Sequence, residues 1–225
     1  VLDQIWDAYV KRVGDCTVVI MSDYGKGMFS KDFNHKLIAH ARKLGKTVIV
    51  DPKSNDFKDY GGATLITPNF KEFNGALGGI DGLTPTQSVE ENALALKAYA
   101  DLDALLVTRG KDGMTLLDGQ NQFHHLPTQA LEVFDVSGAG DTVIATLSLA
   151  IAHGATYPQA MYLANQAAGI VVGKLGTATT NPQELKKAIH QIDAIRTSSV
   201  ESFVPTWDHA LKTVQNWQKQ GLSVG

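Results

Sequence analysis

The first half of the chain alternates short, unbroken apolar runs with longer amphipathic stretches. Val18-Val19-Ile20-Met21, Val48-Ile49-Val50, Leu65-Ile66 and Leu105-Leu106-Val107 are continuous rather than alternating. That is the pattern of strands covered on both faces, as in a parallel sheet. Between the first two runs, Phe33, Leu37, Ala41 and Leu44 recur at helical spacing, with Ser30 placed as N-cap and Gly45 at the stop. Before the fourth run, Val89, Ala93, Leu96 and Ala100 repeat the pattern, and Ser88 with Glu91 three residues on spells a capping box. Strand–helix–strand order with short connections predicts right-handed βαβ units in an α/β fold, a doubly wound, mostly parallel sheet flanked by helices.

Beyond these runs, Met114 to Leu117 and Phe123 to Leu126 predict a hairpin, and helical patterns follow at 139–153, 158–174 and 182–195. Residues 197–206 (TSSVESFVPT) read as a polar linker, and Trp207, Leu211, Val214 and Trp217 mark a last amphipathic helix within 207–225. The chain starts at Val1 rather than Met, in helix-like sequence, and reads as a piece of something longer.

Composition narrows the classes. Hydrophobic residues make up 44% and charged residues 19% of 225, enough apolar surface for a sizeable core. The net charge of −3, with no long run of either sign, argues against a nucleic-acid or membrane-surface partner. The stretch from Thr142 to Ala155 is interrupted by Thr146, Ser148 and His153 and is too short to span a bilayer. No signal sequence opens the chain, and the single cysteine, Cys16, reads as a small buried hydrophobe; both suit a cytoplasmic location.

Each of the four apolar runs ends in polar or special residues: Ser22-Asp23, Asp51-Pro52-Lys53, Thr67-Pro68-Asn69 and Thr108-Arg109-Gly110. In a parallel sheet such ends share one edge, where ligands bind. Asp135-Val-Ser-Gly-Ala-Gly-Asp141 then enters a helix of small residues. The glycines allow close backbone approach, and the N–H groups of a first helical turn suit an anion such as a transferring phosphoryl group. Asp141, in that turn, is placed to take a proton from an attacking hydroxyl. A dinucleotide fingerprint is excluded because Val143 stands where its third glycine belongs, and no GxxxxGK[ST] loop occurs. His124 and His125, neighbours on a strand, point to opposite faces and do not share a metal.

Taken together and in order, these segments resemble the ribokinase (PfkB) family of sugar kinases. DVSGAGDTVIA (135–145) is similar to the family's second signature. That resemblance implies Asp141 as catalytic base and Gly138, Ala139 and Gly140 as the anion hole. Asn69-Phe70-Lys71-Glu72 is similar to the NxxE motif, implying ATP binding there and Mg²⁺ held through water by Asn69 and Glu72. Thr108, Gly110 and Gly113 match the TxGxxG nucleotide loop, and Asn165 and Gly169 the helix flanking adenine. The monovalent cation found in many members, K⁺, would fall to Asp135, Ser137 and Gly176. Residues 1–196 resemble the C-terminal part of the kinase domain, with the family's N-terminal strands and lid outside this sequence.

SDYGKG (22–27) and DPK (51–53) are similar to the heptose 7-phosphate kinase branch, which makes Asp23, Lys26 and Lys53 substrate-binding candidates. The implied reaction is ATP-dependent phosphorylation of D-glycero-β-D-manno-heptose 7-phosphate at O1, on the route to lipopolysaccharide core, by a homodimer. In bifunctional members of that branch, a helix like 207–225 leads toward a nucleotidyltransferase domain. Rival expectations are a kinase for another sugar or nucleoside, and a module that binds nucleotide without turnover.

Overall fold

The computed structural model describes residues 1–85, 88–129 and 134–196, so the linker expected at 197–206 and the helix expected within 207–225 lie outside the described residues. The chain divides into two compact units, Val1–His125 and Leu126–Gly225.

In the first unit, helix α1 (Leu2–Val13) precedes β1 (Val18–Ser22), α2 (Lys31–Lys43) and β2 (Thr47–Asp51). β3 (Leu65–Ile66), α3 (Phe70–Leu77), α4 (Val89–Tyr99), β4 (Ala104–Thr108), β5 (Met114–Leu117) and β6 (Phe123–Leu126) follow. The sheet order is β1-β2-β3-β4-β5-β6, parallel from β1 to β4 and antiparallel between β4 and β5. This is the expected mostly parallel α/β sheet.

The continuous apolar runs are covered on both faces, as their pattern requires. Val48, Val50, Ile66, Leu105 and Val107 point into a core built with Phe33, Leu37, Ile38, Phe57, Phe73, Leu77 and Leu96. Their neighbours Ile49, Leu65 and Leu106, facing the other way, are equally buried. Each such side chain contributes roughly 1.5–3 kcal/mol relative to exposure. β1 departs from the pattern. Its run looks like an inner strand, yet it ends the sheet and Ile20 is 44% exposed.

Local signals behave as chemistry dictates. Ser30 is the N-cap of α2, and Gly45, at φ +68°, follows its C-cap Leu44. Ser88 and Glu91 form both halves of the capping box on α4. Cys16 corrects its expectation: it sits exposed in the turn between α1 and β1, its thiol directed at the Arg12 carbonyl 3.4 Å away. Cys16 lies two positions before β1 begins, outside the strand that its apolar run suggested.

His124 and His125 do find different partners. His124 Nε2 donates to Asp118 Oδ2 at 2.9 Å, while His125 meets Thr115 and Glu90. Asp118 Oδ1 also accepts the backbone N–H groups of Gln120 and Gln122, closing the turn between β5 and β6. Buried Lys97 clasps the same turn through the Asp118 carbonyl and Asn121 Oδ1.

In the second unit, α5 (Ala139–Ala152), α6 (Tyr157–Val172) and α7 (Pro182–Arg196) match the three helices expected. α5 and α6 pack through small residues, with Ala150, Ala160, Ala164 and Ala167 fully buried, and α7 contributes Leu185 and Ile189. Among the described residues no helix is long and apolar enough to cross a membrane.

The Asp118 turn gives a pH prediction. Burial works against its ionisation, but the bonds from His124 and from the Gln122 and Gln120 backbone outweigh it and hold the carboxyl below the ordinary aspartate value. A depressed folded-state pKa contributes stability above the unfolded pKa, and that contribution is lost as pH falls through the folded one. Urea midpoints should therefore fall for the wild type below about pH 4. Asp118→Asn should lose part of that acid slope and be about 1–3 kcal/mol less stable at pH 7. An unchanged slope contradicts this role.

Candidate active site

Parallel pairing sets the candidates of the first unit. Ser22 stands in register with Asp51, and an isolated parallel bridge joins Asn69 to Thr108, so the ends of β1 to β4 lie along one edge. The residues that follow are then fixed to one another by a few short bonds.

Asp23 is nearly buried. Its Oδ1 accepts the Gly25 N–H at 2.7 Å and its Oδ2 accepts the Tyr60 hydroxyl at 2.6 Å. The same Tyr60 oxygen accepts the backbone N–H groups of Lys53 and Ser54, each at 3.0 Å. Tyr60 is fully buried in a short 3₁₀ turn (Phe57–Tyr60); burial and the bond to Asp23 drive its hydroxyl pKa well up, so it stays a neutral donor. One hydroxyl thus ties the loop after β1 to the loop after β2. Tyr60 was not foreseen, because a 3₁₀ turn carries no long periodicity; the aromatic pair Phe57 and Tyr60, three apart, was the only signal.

Lys53 reaches on to the third strand end. Its Nζ lies 2.8 Å from Glu72 Oε1, an ion pair that raises the lysine pKa, with Asp51 and Asp23 adding to the effect and slight burial opposing it. Glu72 Oε2 accepts the Asn69 N–H while Asn69 Oδ1 accepts the Glu72 N–H, a complete capping box on α3. Asn69 and Glu72 are therefore a helix cap as well as metal candidates. Among the described residues no three His, Cys, Asp or Glu are grouped to cage a metal. The donor set is one carboxylate and one amide oxygen, both already engaged. It fits a hydrated, hard divalent cation held through its waters and does not fit a direct protein cage.

Phe70 and Lys71 are exposed beside this cap, with the Arg109 guanidinium carbon 5.8 Å from the Phe70 ring centre. Thr108 leads into a closed turn in which Arg109 N–H donates to the Gly113 carbonyl at 2.7 Å. Gly110 at φ +57° and Gly113 at φ +80° make that turn possible. Lys26 is exposed in the loop after β1.

The second unit carries the other candidates. Gly138 is the N-cap of α5 at φ +79°, a conformation that favours glycine, and a Cβ there would stand a tight 3.2 Å from Thr177 Cγ2. Asp141 lies exposed in the first turn, next to Gly140, whose Cα faces open space. Ala139 N–H is turned back onto the Val136 carbonyl at 3.2 Å.

Asp135 Oδ1 accepts the Ser137 N–H at 2.8 Å, a bond that holds its carboxyl below the usual range. Gly176, at φ +72°, shapes the exposed loop after α6. Asn165 is buried and gives its amide to the Pro127 carbonyl at 2.8 Å, so it braces the incoming segment. Gly169 instead lines a mostly apolar hollow of about 400 Å³ with Gln129, Phe134, Gln166, Ile170, Gly173 and Ala188.

Known proteins share this chain's sequence and fold. The profile described as pfkB family carbohydrate kinase matches residues 9–184. The chain is 47% identical over 208 residues to the Bifunctional protein HldE of Paramagnetospirillum magneticum, covering 92% of this chain and 42% of that protein. To the protein of the same name from Haemophilus influenzae it is 50% identical over 184 residues, covering 82% and 37%. The chain thus spans about two-fifths of the length of these relatives. Two solved structures share the fold. Arabidopsis thaliana ribokinase complexed with ribose and ATP has a TM-score of 0.69 at 20% identity, over 81% of this chain and 58% of that one. Escherichia coli phosphofructokinase-2 in complex with potassium has a TM-score of 0.73 at 18% identity, over 85% and 62%.

The Tyr60 hydroxyl can be tested directly. Tyr60→Phe preserves the ring but strands two backbone donors and one carboxylate oxygen. It should lower unfolding stability by about 1–3 kcal/mol in urea titration. The Lys53 and Ser54 amides should also lose protection from hydrogen exchange. Wild-type stability and exchange would contradict the bridging role.

Proposed function

The chain belongs to the pfkB family of carbohydrate kinases, and from that premise we propose that it transfers the γ-phosphoryl group of ATP to O1 of D-glycero-β-D-manno-heptose 7-phosphate. The observation that carries the reading is Asp141, exposed in the first turn of α5, three residues after the glycine cap at Gly138. The choice of sugar rests on the SDYGKG and DPK segments and on the identity of about one half to the bifunctional HldE proteins.

In this reading Asp141 accepts the proton from the attacking hydroxyl, a role that contributes about 10²–10⁴ in rate. Gly138, Ala139 and Gly140 bring the α5 N-terminus close to the phosphoryl group, and the N–H groups of that turn, with the helix dipole, offset its charge. The Ala139 bond to Val136 leaves that share to its neighbours or requires it to open. Asn69 and Glu72 would hold Mg²⁺ through its waters, and the ion would neutralise charge on the phosphates. Asp135, Ser137 and Gly176 offer oxygens to a monovalent cation such as K⁺. The turn at Thr108, Gly110 and Gly113 serves the nucleotide, and the hollow beside Gly169 suits a flat, apolar base. In this assignment Lys26 meets the sugar phosphate, while Asp23, with both carboxylate oxygens engaged, positions the loop that carries Lys26. The reaction would feed lipopolysaccharide core synthesis in the cytoplasm, with a homodimer as the working form.

The test is ³¹P NMR on the chain, with the full-length Haemophilus influenzae relative alongside, given Mg·ATP and one acceptor at a time. Heptose 7-phosphate should yield a 1,7-bisphosphate signal, whereas ribose, fructose 6-phosphate and a nucleoside should yield little product. Faster turnover of one of those acceptors would overturn the heptose assignment. ATP binding without product from any acceptor would favour a non-catalytic nucleotide module.

A further inference from the structure

The Lys53–Glu72 pair fits poorly with either residue acting alone. Glu72 is only 14% exposed at its side chain, whereas Lys53 is 53% exposed and could extend elsewhere. Its backbone is nevertheless anchored by Tyr60, its stem passes Gly25, and its ammonium is delivered to the one carboxylate that caps α3. A carboxylate beside bound nucleotide phosphates would repel them unless a cation stands with it. Lys53 holds Oε1 of Glu72, the oxygen that does not close the cap and that a hydrated divalent ion would also need.

We propose that Lys53 is the resident counter-ion of Glu72, a placeholder that a divalent cation displaces when metal-bound nucleotide arrives. With metal absent, the ammonium keeps Glu72 neutralised and the α3 cap organised. With metal present, Glu72 turns to the hydrated ion, and Lys53, still tethered by Tyr60, is released toward the phosphates. The role rests on the kinase reading, since it needs nucleotide phosphates near Glu72. It differs from a substrate-binding role for Lys53, because it concerns the metal dependence of nucleotide affinity and not the affinity for sugar.

The pair has a useful asymmetry. If it were only a structural ion pair, breaking it from either side would have the same consequence. A placeholder predicts opposite consequences. Removing the ammonium leaves a bare carboxylate, so metal-free nucleotide binds worse while metal-bound nucleotide binds nearly as before. Removing the carboxylate charge takes away both the repulsion and the metal's foothold, so the advantage conferred by metal shrinks.

The experiment is titration of the chain with a fluorescent N-methylanthraniloyl-ADP, once in excess EDTA and once in excess Mg²⁺, with circular dichroism confirming the fold of each variant. The quantity read is the ratio of the two dissociation constants. Lys53→Met should raise that ratio by about threefold or more, Glu72→Gln should lower it by a similar factor, and Lys53→Arg should stay near wild type. Ratios that stay fixed, or move in the same direction in Lys53→Met and Glu72→Gln, overturn the placeholder role and leave the kinase reading standing. Failure of the wild type to bind the probe with or without Mg²⁺ defeats the kinase reading, and the placeholder role with it.

Discussion

Parallel pairing sends β1, β2, β3 and β4 out of the sheet at a single edge, and the polar arrangement at that edge follows from it. Strand interiors can be almost wholly apolar because both faces are covered, which leaves only the ends to carry chemistry. Ends alone would be loose loops. Tyr60 makes them one structure, since its hydroxyl gives one hydrogen bond to Asp23 and takes two from the backbone after β2. A buried hydroxyl with all three positions used resists displacement, because any movement strands a donor or an acceptor away from water.

Charge is balanced along the same edge. Lys53 is drawn to Glu72, and Asp51 and Asp23 stand close enough to favour its charged form. Glu72 thereby carries two duties, closing the cap of α3 and presenting a carboxylate where a divalent ion is expected. The capping box explains why an Asn-x-x-Glu segment alone says so little about function, since any well-made helix start has the same shape. Its position at the end of a parallel strand, bridged to Thr108, is what lends it functional weight.

Much of this was legible in the sequence. Strands, helices and the boxes at Ser88 and Asn69 follow from local periodicity and short-range hydrogen bonding, which act within a few residues. Gly138 was legible as a backbone position needing freedom, and the structure supplies the cause in its φ and in Thr177. What escaped depends on residues far apart in the chain. Lys53 meets Glu72 across 19 residues and Tyr60 meets Asp23 across 37, and no local pattern records such pairings. Asn165, a nucleotide-binding candidate, also holds Pro127, 38 residues away. Cys16 was misjudged for a simpler reason, because an apolar run does not reveal where its turn falls.

The proposed role of the α5 N-terminus as a phosphoryl-transfer site with Asp141 as its base is tested most directly by single-turnover transfer. Mg·ATP and heptose 7-phosphate are given to Asp141→Asn and wild type, in the chain and in the full-length relative carrying the matching change. Asp141→Asn should transfer more slowly by about 10²–10⁴ with nucleotide binding retained. Transfer at the wild-type rate would contradict it.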